Sequence, residues 1–213
     1  MQPVLDAEKK RACLIVNPPS GATQRTLVVL GVQRGGTSMV AGVLRALGVD
    51  MGRAGLNHED PRFIRADEAK LRRVIDLRNS ERDIWGFKVP ETTLQLDYLE
   101  KSLRNPYYIC VFRNIAAVAD SFLTRGVKYP AMVVLHALKY YNRMGRLARE
   151  AKAPLLVVNY ERAASNPVEF VDSVLEFIEI DVPAIMRERA AEMVTGDGGG
   201  YLDVPDNYLS LFR

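Results

Sequence analysis

The stretch Gly31–Ser38, GVQRGGTS, has residue types and spacing suited to holding an anion. Its frame is Gly-x-x-x-x-Gly followed by two hydroxyl residues. Nucleoside-triphosphate loops of this frame place a lysine before the final Ser or Thr, where it reaches the outer phosphates. Here position 37 is Thr, and an arginine stands at 34. Gly35 and Gly36 let the backbone approach a ligand, and a helix start turns N–H groups and partial positive charge toward it. Arg34 offers a planar fork matched to phosphate or sulfate oxygens. Thr37 and Ser38 add hydroxyl donors. The bland alternative is a tight strand–helix turn with no ligand.

A second group lies downstream. In VFRNIAAVADSF, Arg113 ends an apolar run, and Ser121 falls two turns into the helix that follows. Ligands of open α/β sheets bind at the carboxyl ends of strands, so Arg113 is a candidate for a second anion. Nucleotide hydrolases also hold magnesium with an Asp at a strand end. The later strands end in VFRN and VNYE, without that Asp. Both departures count against ATP or GTP hydrolysis. A third group offers candidate proton acceptors: His58, Glu59 and Asp60 in the loop after the first helix, and Glu91 near Lys88 in WGFKVPET. His136 falls on a long helix and reads as structural or surface.

The elements that must position these residues follow from periodicity. TLVVLGV (26–32) is a short apolar run, as a strand buried on both faces requires. TSMVAGVLRALG (37–48) has helical spacing and a glycine stop. A polar, irregular stretch at 49–65 precedes a helix over 66–79. Strands are predicted at 83–90, 107–113 and 154–160, and helices at 92–104, 114–126, 130–152 and 183–194. Asn114 suits the N-cap of its helix. Pro167 opens another helix at its first position, with Asn166 as cap. Residues 1–25 read as an arm or a short strand, and 195–201 as a glycine-rich turn. The alternation predicts an α/β fold, a single domain with a central parallel β-sheet flanked by helices.

Composition sets bounds. The chain of 213 residues is 48% hydrophobic and carries a net charge of +3. That suits a core and anionic small ligands, and is too weak a charge to argue for nucleic acid. Cys13 and Cys110 make neither a disulfide framework nor a metal site, and Cys110 reads as core. No apolar run reaches membrane-spanning length and no signal-peptide shape opens the chain, so a soluble, cytoplasmic protein is expected.

Together these motifs resemble the sulfotransferase family that uses 3'-phosphoadenosine 5'-phosphosulfate (PAPS). The resemblance spans about residues 26–180. It rests on Arg34-Gly35-Gly36-Thr37-Ser38, on Arg113-Asn114 with Ser121 eight residues after the arginine, and on VVNYE followed by SNPVEF. It implies a fold like that of phosphate-loop nucleotide hydrolases. It also implies that the first loop binds the 5'-phosphosulfate and that Arg113 and Ser121 bind the 3'-phosphate, with Tyr160 at the nucleotide. Lys88 stands where many members place a lysine against the transferring group. The base is implied to be Glu59 or His58, from the loop after the first helix, with Glu91 as another option.

The implied reaction moves a sulfuryl group from PAPS to a hydroxyl or amine of a carbohydrate or small metabolite. It releases 3'-phosphoadenosine 5'-phosphate (PAP) and needs no metal. Small-molecule or carbohydrate acceptors are the expected partners, without nucleic acid or membrane insertion. Self-association stays open. Ile115 departs from the family's usual Pro, GDGGGY only loosely matches its later glycine loop, and the chain is short for the family. A kinase-like or hydrolytic domain, and a nucleotide-binding domain that has lost catalysis, remain the competing readings.

Overall fold

A strand covered on both faces must be apolar along its whole length or satisfy its polar groups. Arg25–Leu30 is buried at every position. The computed structural model describes residues 11–53 and 56–195. Its strands are β1 (Cys13–Asn17), β2 (Arg25–Leu30), β3 (Ile84–Lys88), β4 (Pro106–Phe112) and β5 (Leu155–Asn159). They form one five-stranded sheet in the order β1-β5-β4-β2-β3. The last four run parallel, and β1 joins antiparallel to β5 with a bulge between Ile15 and Asn17. The sheet is therefore mostly rather than wholly parallel. The antiparallel edge comes from the segment that the sequence left as arm or strand.

The helices are α1 (Thr37–Ala46), α2 (Glu68–Glu81), α3 (Leu96–Leu99), α4 (Ile115–Leu123), α5 (Pro130–Glu150), α6 (Tyr160–Ser165), α7 (Pro167–Ile178) and α8 (Ala184–Thr195). Successive strand residues point to opposite faces, and the core divides accordingly. Leu27, Val29, Tyr107, Ile109, Leu156 and Val158 face α1, α7 and α8. Val28, Leu30, Tyr108, Cys110 and Leu155 face α2, α3 and the C-terminal half of α5. A third cluster joins Phe122 of α4 to Val133, Ala137 and Tyr140 of α5. Both cysteines are buried and unbonded, and burial pushes each thiol up to about 12.

The helix expected over 92–104 is replaced by a 3-10 turn, Pro90–Gln95, leading into the short α3. The reason is local. Thr92 Oγ1 donates to Val89 O at 2.6 Å, and Thr93 Oγ1 accepts from Gly31 N at 3.1 Å. Threonine hydroxyls that engage backbone groups compete with helical pairing. Asn166 does stand before α7, but its side chain does not cap it. It donates instead to Arg162 O and Ser165 Oγ. The glycine-rich turn at 195–201 lies, beyond Thr195, outside the described residues.

The connection after α1 is fixed at both ends. Arg45 donates to the carbonyls of Met51 and Gly52, and Asp50 accepts from Arg78, Arg82 and Gly52 N. Asp50 bridges to Trp85, so the chain turns back beside β3. Asp60, fully buried, accepts from the Arg62 side chain and from the N–H groups of Arg53 and Arg62. Phe63 then stacks on Phe87 of β3 at 4.4 Å and 6°.

Phe63→Ala should destabilise the protein by about 3–5 kcal/mol, the range for emptying a buried aromatic site. Urea unfolding checks this. A loss below about 1 kcal/mol would mean that Phe63 does not pin the loop.

Candidate functional site

The C-terminal ends of the parallel strands bring the candidate residues to one edge. Arg34 follows β2, Lys88 ends β3, Arg113 follows β4 and Tyr160 follows β5. They border a cleft whose wall also includes Gln33, Gly36, Thr37, Ser38, Asn57, Glu59 and Phe122. The loop, the second arginine and the acidic loop, far apart in sequence, thus share one space.

Gly36 opens α1 with φ +89, and no side chain caps this end. The N–H groups of a helix's first turn have no intrahelical partner, so an anion can take them. A β-carbon at Gly36 would lie 2.0 Å from the Tyr160 ring, so glycine is required by both conformation and space. Arg34 also has a positive φ, 63°. Its Nε donates to Ser121 Oγ at 2.9 Å, and its carbonyl accepts from Arg113 Nη1 at 2.9 Å. The Arg113 guanidinium lies 4.7 Å from the centre of the Tyr160 ring, and its buried Nε has no hydrogen-bond partner. The eight-residue spacing of Arg113 and Ser121 therefore does bring both to the loop.

A third guanidinium joins them. Arg125 donates to Ser121 O at 3.3 Å. Burial, then the charges of Arg125 and Arg113, lower Arg34 to about 10. Sequence reasoning missed Arg125 because no motif marks it. Its position four residues after Ser121, one helical turn, was the available signal.

At the other end of the cleft Lys88 is 1% exposed. Its Nζ donates to Glu59 Oε1 at 2.8 Å and to Ser38 Oγ at 3.2 Å. Burial lowers its pKa, and the Glu59 carboxylate opposes that shift. Glu59 is 6% exposed and lies in the cleft wall. His58 does not line the cleft, and burial, with Arg45 and Lys88 nearby, lowers it to about 4. Asp60 is committed to Arg62. Glu91 lies outside the lining, with one buried carboxylate oxygen unpartnered. His136 is structural. Its Nε2 meets Gln33 Oε1 at 2.9 Å, and Gln33 Nε2 donates to the Tyr140 hydroxyl at 3.1 Å.

The site can thus bind a polyanion between a helix start and the Arg34 and Arg113 guanidiniums, with Arg125 close to Arg34, beside a buried ammonium–carboxylate pair. Among the described residues no helix is long and apolar enough to cross a membrane.

No family model matches the chain, and no curated protein matches it in sequence. Solved structures do match. Sulfotransferase STF9 from Mycobacterium avium aligns over 89% of this chain and 75% of its own, with TM-score 0.61 and 12% identity. The sulfotransferase domain from the curacin biosynthetic pathway aligns over 91% and 87%, with TM-score 0.58 and 15% identity. Mouse sulfotransferase SULT7A1, solved with PAP, aligns over 87% and 76%, with TM-score 0.52 and 14% identity. At such identities the likeness is one of fold, and the chain has the sulfotransferase fold.

Burial lowers both His58 and His136 from 6.5 to about 4. Between these values the unfolded chain binds protons that the folded chain does not. Stability to urea should therefore be full above about pH 6.5 and fall as pH drops toward 4. Replacing either histidine with Gln should flatten that slope. An unchanged slope would show that neither ring is held neutral.

Proposed function

From that fold we propose that the protein transfers a sulfuryl group from PAPS to an acceptor hydroxyl or amine. One observation carries the proposal: two guanidiniums and a buried ammonium border the uncapped start of α1 within a single cleft, and the charge of Arg125 lies close to Arg34. Such an arrangement suits a ligand with two separate anionic groups. The unpartnered Arg113 Nε and the open first-turn N–H groups are consistent with its oxygens.

In this reading Arg34, the N–H groups of Gly36, Thr37 and Ser38, and the hydroxyls of Thr37 and Ser38 hold the 5'-phosphosulfate. Gly35 shapes the loop. Arg113, Ser121 and Arg125 hold the 3'-phosphate, with Tyr160 closing the nucleotide side. PAPS supplies an activated sulfuryl group. The bond from sulfur to the 5'-phosphate oxygen breaks, a bond from the acceptor atom to sulfur forms, and the acceptor proton passes to a base. PAP leaves with the bonding pair.

Glu59 is the base and Lys88 stabilises charge on the transferring group. The pairing of the two has a consequence. A carboxylate held by an ammonium is a weak base. Donor oxygens that draw on Lys88 loosen the pair and restore Glu59's basicity. His58, held neutral outside the cleft lining, is the less suited base. Carbohydrates and small metabolites are the acceptor classes.

PAP should raise the melting temperature, because a ligand that binds only the folded state stabilises it by mass action. ADP should do so much less. Arg113→Ala should weaken PAP by about 1.5–3 kcal/mol, the range for hydrogen bonds to charged groups, and Arg125→Ala should act in the same direction. ATP with magnesium shifting the melt while PAP does not would overturn the reading.

With an acceptor in hand, Glu59→Gln should lower kcat by about 10²–10⁴-fold, the range for a general base, and turnover should survive EDTA. Near-normal kcat in Glu59→Gln, with a folded but inactive His58→Ala, would move the role to His58.

A further inference from the structure

Two residues of left-handed conformation precede Glu59. Asn57 has φ 56 and ψ 26, and His58 has φ 60. Non-glycine residues are uncommon there, and Asn is among the few that tolerate it. Glycine fills such a position at least cost, so the backbone alone does not call for a carboxamide.

Asn57 lies in the cleft wall with Glu59 and Lys88. Its side chain makes no hydrogen bond to any described residue. The other carboxamide of the wall, Gln33, is engaged at both ends by Tyr140 and His136. Asn57 is thus a polar group in the cleft wall that no described residue engages.

Asparagine offers both a donor and an acceptor, the complement of one hydroxyl, whereas an ionised carboxylate only accepts. Glu59 stands two residues on, in the same wall. A lone alcohol would engage Glu59 and leave the half-buried Asn57 to water. Two neighbouring hydroxyls satisfy both. A site built to hydrogen-bond a hydroxyl rejects molecules that lack it.

We propose that Asn57 binds the acceptor by engaging a hydroxyl adjacent to the one that Glu59 deprotonates. The acceptor class is then a vicinal diol, as in a sugar ring, rather than a lone alcohol or a phenol. This inference rests on the sulfotransferase reading.

The test measures transfer from labelled PAPS to methyl glucoside, to n-butanol and to p-nitrophenol. The wild type should favour the glucoside. Asn57→Gly keeps the left-handed turn and removes the carboxamide. It should lower the ratio of kcat/KM for glucoside over p-nitrophenol about tenfold, mainly through KM, as loss of one hydrogen bond allows. Asn57→Asp tolerates the same backbone and removes the donor, so it should lower the ratio too.

A wild type that prefers butanol or the phenol overturns the proposal. So does a ratio that stays the same in both variants, which is what a purely conformational role for Asn57 gives. PAP-induced melting separates the two levels. If PAP stabilises the wild type and the ratio does not move, only this inference fails. If PAP gives no shift at all, the sulfotransferase reading falls and this inference falls with it.

Discussion

The ion pair between Lys88 and Glu59 is the constraint on which the functional edge of the sheet depends. Both groups are almost wholly withdrawn from water. Burying either charge alone would cost several kcal/mol, and the pair repays that cost only with good geometry and further hydrogen bonds. At 2.8 Å, with Ser38 Oγ as a second acceptor, the ammonium has both. It thereby ties together the end of β3, the first turn of α1 and the connection at 49–65. The Asp60–Arg62 contacts and the Phe63–Phe87 stack then lock the segment just beyond the pair.

The opposite end of the cleft obeys a different rule. There the fold gathers like charges. Arg34, Arg113 and Arg125 are held by a hydroxyl and by carbonyl oxygens, and Arg113 also lies over the Tyr160 ring. Their mutual repulsion is visible in the lowered pKa of Arg34, second only to burial as its cause. A ligand carrying opposite charge would relieve that repulsion.

The loop and the layer pattern were legible because they are local. Gly31–Ser38 and the buried runs around Val28, Ile109 and Leu156 each carry their signal within a few residues. The shared approach of Arg113 and Ser121 to the loop was legible from the resemblance, whose motif sets them eight residues apart, and each meets Arg34 rather than the other. Arg125 carries no motif, and its only mark is a place one helical turn after Ser121. The Lys88–Glu59 pair could be guessed as two candidates and not as one unit, since 29 residues separate them and only the return of the chain beside β3 joins them. The missing helix at 92–104 failed for a related reason. Thr93 spends its hydroxyl on Gly31, a contact 62 residues away that no local propensity reports.

The division of the site between rigid and loop-borne parts follows from the topology. A parallel sheet gathers its strand ends on one edge, so Arg34, Lys88, Arg113 and Tyr160 are each placed by a strand that the core holds on both faces. β1 runs the other way, and what it brings to that edge is the start of a strand, not the end of one. Asn57 and Glu59 come instead from a connection that only crosses the edge, fixed by ion pairs and one aromatic stack. Side chains on such a segment can change without disturbing the sheet. Arg34, Lys88, Arg113 and Tyr160 are therefore placed by the sheet itself, and Asn57 and Glu59 by a connection outside it.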